Sequence, residues 1–137
     1  MNNEFGVWLD YLIRFQNIGT ATALTARIDD FIEDQLDLTS FQLLGMSHYG
    51  EVRFKEGRLI VFFFDQIMLN SSTDLEASQG YVSFRMRTIS GLHLEDEIDN
   101  LVSIYFDFNQ PIITNTASTV FYDCPPMTTI LHSKLIF

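Results

Sequence analysis

Residues 51–64 have the sequence EVRFKEGRLIVFFF, which is the pattern of a β-hairpin. On the first arm, Val52 and Phe54 alternate with charged residues, and Gly57 can supply the positive φ that a tight turn requires. The second arm, residues 59–64, is apolar at every position. Such a strand is typical of the centre of a sheet, or of a sheet whose outer face is hidden by a neighbouring module.

The two-residue periodicity of this hairpin recurs along the rest of the chain. Apolar and polar residues alternate at residues 7–16, 24–29, 81–88 and 98–106, and further strands are predicted at residues 40–46 and 112–122. The acidic residues 30–37 predict a turn or a single helical turn. No segment shows the periodicity of an amphipathic helix. Seven or eight short strands with turn signals between them predict an all-β, antiparallel sandwich with an immunoglobulin-like layout.

Length and composition indicate one globular domain. The chain has 137 residues, of which 47% are hydrophobic, and a single cysteine, Cys124, which excludes an intrachain disulfide. A chain of this size buries a core without such cross-links. We predict one β-sandwich module over residues 1–123 and an irregular tail or linker over residues 124–137, which contain Pro125 and Pro126.

The charge of the chain restricts its partners. The formal net charge is -10, so neither nucleic acid nor an anionic membrane surface is an expected partner. No segment reaches the roughly 18 apolar residues that a membrane-spanning helix needs. The N-terminus lacks the charged-then-apolar pattern of a signal peptide, so an exported protein would carry its signal in a longer parent chain.

Five phrases occur together in one order: YLIRFQNIGTATA (residues 11–23), LDLTSF (36–41), SH (47–48), GYVSFRMR (80–87) and NLVSIYFDFNQPIITN (100–115). In this combination the chain resembles, over residues 8–120, a conserved repeat domain of unknown function in large surface and secreted proteins of Bacteroidetes. That domain often precedes the sorting domain of the type nine secretion system. The resemblance implies an immunoglobulin-like sandwich, export, and a place in a multidomain chain, and it implies no enzymatic activity.

The residue types of an enzyme active site are present without a catalytic arrangement. Ser47 and His48 are adjacent, but neighbours on a strand point to opposite faces, and no G-x-S-x-G nucleophile elbow occurs. His48, His93 and His132 share no metal-ligand spacing, and Cys124 is interpreted as an incidental thiol. The chain is therefore predicted not to be an enzyme and to need no cofactor.

Polar residues after the strand at 98–106 are the candidate functional side chains. Pro111 blocks a simple continuation of the ladder, so a turn is expected at residues 107–111. Asp107 and Asn109 are predicted to fix this turn by bonding backbone N–H groups, and Asn115 to tie the start of the last strand to a neighbouring loop. Asp107 and Asn109 are also weak candidates for calcium ligands, although nothing matches an EF-hand loop.

The predicted function is that of a structural or spacer module in a secreted or cell-surface protein, with neighbouring domains of the same chain as partners. The alternative is an adhesive module that binds carbohydrate or a protein ligand directly. Trp8, Tyr81 and Tyr105 are out of phase with the apolar faces of their strands. Such rings either bind sugar or pack against an adjacent module or loop.

Overall fold

The computed structural model describes residues 6–90, 96–107, 109–113, 115–120 and 129–134, the last of these by their backbone alone. The regular structure of these residues consists of β-strands, and none of them is helical. The strands are β1 (Trp8–Gln16), β2 (Ala26–Phe31), β3 (Leu36–Met46), β4 (Glu51–Lys55), β5 (Leu59–Phe64), β6 (Gln79–Thr88), β7 (Glu97–Asn100), β8 (Val102–Phe106), β9 (Ile112–Ile113), β10 (Ala117–Val120) and β11 (Thr129–Lys134).

Two main sheets form the sandwich. One has the strand order β11-β1-β6-β3, and the other has the order β4-β5-β2-β8-β9. Strands β10 and β7 form a separate two-stranded ladder. The pairs are antiparallel except for β1 and β11, which are parallel. We call the end of the sandwich where β1 begins the entry end and the opposite end, where β1 finishes, the exit end.

The core lies between the two main sheets and follows the alternation of the sequence. In β1, the inward side chains Leu9, Tyr11, Ile13 and Phe15 are at most 1% exposed. Rings from the two sheets meet in the middle, with the centroids of Phe62 and Phe84 5.4 Å apart and those of Phe15 and Phe64 5.9 Å apart. Burial of such large apolar side chains is the main driving force for folding.

The prediction of an all-β, immunoglobulin-like sandwich is confirmed, and the hairpin is where it was expected. Gly57 has φ +79°, and β5 lies inside its sheet between β4 and β2. The strand count differs from seven or eight, since eleven strands are described. The predicted strand at residues 98–106 is interrupted at Leu101, and residues 112–122 contain two short strands rather than one.

The C-terminal segment differs from the irregular tail predicted for residues 124–137. Residues 129–134 form β11, which pairs with β1 from Leu9↔Thr129 to Arg14↔Lys134. The pairing with β11 satisfies the backbone N–H and C=O groups of β1, which would otherwise be unpaired at the edge of the sheet. The predicted boundary at residue 123, Cys124, the two prolines and His93 lie outside the described residues, so the division into module and tail stays a prediction.

Candidate functional site

A cleft of about 530 Å³ opens near the exit end, between the β3–β4 connection and the end of β5. Two aromatic rings border it. Tyr49 is 93% exposed, and Phe63 lies half-buried on the outer face of β5. The buried Ile67 also lines the cleft. Concave sites that combine apolar walls with a few polar groups are the usual form of ligand sites in proteins.

The wall of the cleft depends on Gly50. A Cβ atom at this position would lie 2.7 Å from Cδ1 of Phe64 and 2.9 Å from the carbonyl oxygen of Phe63. The backbone of the β3–β4 connection therefore approaches β5 closely enough that no side chain fits between them. This contact sets the position of Tyr49 relative to Phe63.

Arg53 is held over the ring of Phe63. Its guanidinium carbon lies 5.0 Å from the ring centroid, and its Nε and Nη2 atoms donate to Oε2 of Glu51 at 3.0 and 2.7 Å. Glu51 is the cross-strand partner of Phe63, so all three side chains share the outer face of the sheet. The two charges are exposed and neutralise each other locally.

Ser47 and His48 lie in a bend after β3, and the prediction that they point to opposite faces is wrong. The Ser47 Oγ atom is 2.7 Å from Nδ1 of His48 and accepts a hydrogen bond from the backbone N–H of Tyr81 at 2.8 Å. Adjacent side chains diverge on a regular strand but converge where the backbone bends. Within the described part of the chain, no carboxylate is hydrogen-bonded to His48, so a Ser-His-Asp arrangement is incomplete.

Burial lowers the pKa of His48, so its imidazole is neutral at pH 7. The Ser47 hydroxyl already accepts the Tyr81 N–H, and its own hydrogen can be donated either to Nδ1 of His48 or to the carbonyl of Tyr81, which lies 3.3 Å away. His48, which lines the cleft, thus presents an uncharged ring.

Asp107 connects the end of β8 to the loop before β2. Its Oδ1 atom accepts hydrogen bonds from the backbone N–H groups of Leu24 and Thr25 at 2.9 and 2.8 Å, and its own N–H donates to the carbonyl of Thr25. Its φ of 52° lies in the left-handed region that Asp tolerates. The hydrogen-bond partners of Asp107 are therefore distant in sequence, whereas the sequence predicted hydrogen bonds within the turn at residues 107–111.

The other two predicted turn residues make different contacts. The backbone N–H of Asn109 donates to the carbonyl of Phe106 at 3.0 Å, as in a tight turn after β8. Asn115 is exposed and precedes β10 by two positions. The structural roles assigned to Asn109 and Asn115 stay predictions.

The described residues contain no group of three or more His, Cys, Asp or Glu side chains that could hold a metal ion. The Oδ1 atom of Asp107 is directed at N–H donors, and the Oγ1 of Thr25 adds a third contact at 3.3 Å. An oxygen surrounded by donors has its lone pairs occupied. These contacts are the kind that a structural role requires, and both the structural and the calcium-binding roles of Asp107 stay predictions.

A second polar cluster is buried in the core. Asp30 is 0% exposed and Asn100 3% exposed, and Nδ2 of Asn100 donates to Oδ2 of Asp30 at 3.2 Å. The sequence places Asp30 in an acidic turn, which is wrong, because it continues the inward phase of Ala26 and Ile28 in β2. Burial raises the pKa of Asp30 to about 7.

The same region holds further buried polar atoms. The hydroxyls of Tyr11 and Thr119 are buried without a hydrogen-bond partner among the described residues, as are Oδ1 of Asp30 and Oδ1 of Asn100. Burial and the nearby Asp30 raise the pKa of the Tyr11 hydroxyl above its usual range. Each such unpaired atom lowers the stability of the fold.

The aromatic residues proposed from the sequence all lie on outer faces of the sheets, but they are not among the residues that line the cleft. The guanidinium of Arg85 lies 4.5 Å above the ring of Trp8, and that of Arg27 lies 4.1 Å above the ring of Tyr105. Tyr81 is 42% exposed. Neither Tyr49 nor Phe63 was predicted from the sequence as a site residue. The available signals were an aromatic residue in an inter-strand turn and a strand that is apolar on both faces.

The pattern of a family described as a domain of unknown function, DUF7619, matches residues 1–120. The chain belongs to the DUF7619 family. The Bacteroidetes origin and the neighbouring sorting domain that the resemblance implied stay predictions. No curated protein matches the sequence.

Solved structures resemble this DUF7619 domain at low sequence identity. The N-terminal domain of the Streptococcus gordonii adhesin Sgo0707 is 16% identical with a TM-score of 0.53, over 72% of this chain and 24% of that one. A collagen-binding domain of a Staphylococcus aureus adhesin is 11% identical with a TM-score of 0.44, over 73% and 77% of the two chains. The collagen-binding subdomain of the Enterococcus faecalis surface protein ACE is 12% identical with a TM-score of 0.44, over 90% and 95%.

The likeness to the Sgo0707 domain concerns the fold of the DUF7619 domain alone. The domain spans about a quarter of the length of the Sgo0707 structure. The two share a sandwich architecture. Among the residues that the structure describes, no helix is long and apolar enough to cross a membrane.

Proposed function

We propose that the DUF7619 domain is a non-catalytic structural module of a large secreted or cell-surface protein, joined end to end with its neighbours. The observation that carries this proposal is the parallel pairing of β1 with β11 over six residue pairs, from Leu9↔Thr129 to Arg14↔Lys134. The first strand starts at the entry end, and the last described strand finishes at the exit end. A chain that enters and leaves at opposite ends extends a multidomain protein.

Exposed apolar side chains at the two ends support this proposal. At the exit end, Ile18, Leu24, Met68 and Leu75 are 53–62% exposed. Their loops are tied together by the isolated bridge between Ala23 and Leu69, whose backbone groups bond at 2.9 and 2.8 Å. At the entry end, Phe31, Ile89 and Leu101 are 42–63% exposed. Packing against an adjacent module would remove these surfaces from water.

The location outside the cell is part of the same proposal. It is supported by the resemblance of residues 8–120 to a domain of surface and secreted proteins and by the fold shared with the Sgo0707 adhesin. The acidic surface, with a net charge of -10, keeps such a module soluble and away from anionic surfaces.

Small-angle X-ray scattering of two copies joined in sequence tests the end-to-end arrangement. The maximum dimension of the tandem should be close to twice that of the single chain. A matched tandem with Leu75→Ser and Met68→Ser should show greater flexibility between copies, because the apolar contact at the junction is lost. A compact tandem with the two copies side by side would contradict the proposal.

A second candidate function is direct binding of a carbohydrate or protein ligand, and the cleft favours it. The outer face of the same sheet continues the cleft, because Arg27 is the cross-strand partner of both Phe63 and Tyr105. Binding of the labelled domain to immobilised oligosaccharides and extracellular-matrix proteins tests this function. Absence of binding to either class would leave the structural module as the function.

A further inference from the structure

We propose that the cleft bordered by Tyr49 and Phe63 is a binding site for neutral oligosaccharides. The inference rests on the second candidate function and commits it to one class of ligand and one place. Four independent features of the cleft support it: its exposed aromatic rings, its planar polar groups, its charge and its rigidity.

The two rings provide the apolar contact that a sugar needs. Tyr49 is 93% exposed, so both faces of its ring are accessible, and Phe63 borders the same space. Pyranose rings have one face rich in C–H groups, which packs against an aromatic ring and removes both surfaces from water. Arginine side chains lie over the rings of Trp8 and Tyr105, and Arg53 lies over Phe63, so within the cleft Tyr49 supplies the open face for stacking and Phe63 adds an apolar wall.

The polar groups match the hydroxyls of a sugar. Glu51 accepts from the Nε and Nη2 atoms of Arg53, which leaves further guanidinium N–H groups and carboxylate lone pairs for a ligand. Gln66 and Asp65 also line the cleft and are exposed. Each sugar hydroxyl both donates and accepts, so a set of mixed donors and acceptors is complementary to vicinal hydroxyls.

The charge of the cleft selects against acidic glycans. Among the described residues that line it, Arg53 is the one cationic side chain, and Glu51 neutralises it; the His48 imidazole is neutral because burial lowers its pKa. Asp65 then leaves a net negative charge at the site. The chain as a whole carries a charge of -10. Sialylated, sulfated and uronic-acid sugars are therefore repelled, and neutral sugars are not.

Apart from the exposed ring of Tyr49, the walls of the cleft are held in place before any ligand arrives. Gly50 is pressed against Phe64, and Ser47 bonds to the backbone of Tyr81 on one side and to His48 on the other. Arg53 is fixed by Glu51 and by the ring of Phe63. Groups that are already ordered lose little conformational entropy on binding, which increases affinity.

The experiment has two steps. The 137-residue chain is first screened against an array of neutral, sialylated and sulfated oligosaccharides. The ¹⁵N-labelled chain is then titrated with cellobiose, lactose and N,N′-diacetylchitobiose and followed by nuclear magnetic resonance. The expected result is binding to neutral members, with shifts of the amide signals of Gly50, Phe63 and Gln66. Tyr49→Ala should weaken binding at least about ten-fold through loss of the stacking contact.

Phe31→Ala is the matched control, because Phe31 is an exposed aromatic residue at the opposite end. It should leave the affinity unchanged, and thermal melts should show both variants folded. Three results would overturn the inference: no binding to neutral sugars, binding that survives Tyr49→Ala, or binding confined to acidic glycans. Binding to matrix proteins without binding to sugars overturns the inference but leaves the second candidate function standing.

Discussion

The carboxylate of Asp107 accepts a hydrogen bond from the backbone N–H of Thr25 across 2.8 Å, so the end of β8 is tied to the loop that leads into β2. The same oxygen accepts from Leu24. The two residues lie just outside β8 and β2, and their hydrogen bond aligns these neighbouring strands of one sheet.

We predict that Asp107→Ala lowers the thermal midpoint clearly, because the part-buried N–H of Thr25 loses its acceptor at a cost of about 1–3 kcal/mol, whereas the exposed N–H of Leu24 can bond to water instead. Asp107→Asn keeps an acceptor oxygen and tolerates the positive φ, so its thermal midpoint should lie between those of the wild type and Asp107→Ala. Asp34→Ala is the control, since the Asp34 side chain is 97% exposed and its ion pair with Arg58, at 3.6 Å, is worth less than about 1 kcal/mol. Melts of these variants with calcium and with chelator check the result. A wild-type midpoint that rises with calcium, and no longer rises in Asp107→Ala, would instead establish a calcium site.

The stability of the domain should fall as the pH rises from about 4 to about 7. The pKa of Asp30 is raised from 3.8 to about 7 in the folded state, so the unfolded chain releases this proton first. Stability from this group is fully present below pH 3.8, is lost up to about pH 7, and then levels off. The contribution of Asp30 to the free energy of unfolding therefore differs by about 4 kcal/mol between acid and neutral pH.

Urea unfolding of the wild type and of Asp30→Asn between pH 4 and pH 8 measures this effect. The variant cannot ionise at this position and should be the more stable protein at neutral pH, with a flatter dependence on pH. Asp34→Asn, at an exposed carboxylate in the next turn, serves as the matched control. Parallel curves for the wild type and Asp30→Asn would show that Asp30 is not the group responsible.

Arg58 should contribute more to stability than Arg53, although both lie in the β4–β5 hairpin. Its guanidinium donates to the carbonyls of Ile32 and Glu33 at 3.0 and 2.8 Å, and also to that of Leu36, so it holds the turn between β2 and β3. Arg58→Ala should destabilise the domain by about 1–3 kcal/mol. Arg53→Ala removes an exposed ion pair and should cost less than about 1 kcal/mol. Chemical denaturation of the two variants compares them, and equal losses would contradict this account.

The parallel pairing of β1 and β11 predicts mechanical resistance. Pulling the chain by its two ends loads all six residue pairs of this ladder together in shear. Pulling between the N-terminal end and the turn at Gly57, both at the entry end, loads ladders one pair at a time. Single-molecule force spectroscopy should therefore record a higher unfolding force in the first geometry. Equal forces would show that the β1–β11 ladder is not the element that resists extension.

The buried faces of the strands could be predicted from the residue order, because strand side chains alternate with a period of two and the apolar set must face the core. Leu9, Tyr11, Ile13 and Phe15 were assigned to one face, and all are buried. The turn at Gly57 was equally visible, since a local φ preference needs only the residue itself.

The contacts between residues that are distant in sequence became visible only in the folded chain. Asp30 belongs to an acidic run that resembles an exposed turn, yet it lies in the core beside Asn100, 70 residues away. Asp107 bonds to Leu24 and Thr25, which precede it by 83 and 82 positions. The cleft joins Tyr49 to Phe63 only because Gly50 lets the two backbones come into contact. Local patterns encode dihedral preferences and burial, whereas partners across a sandwich are set by register and sheet packing, which no short window of sequence contains.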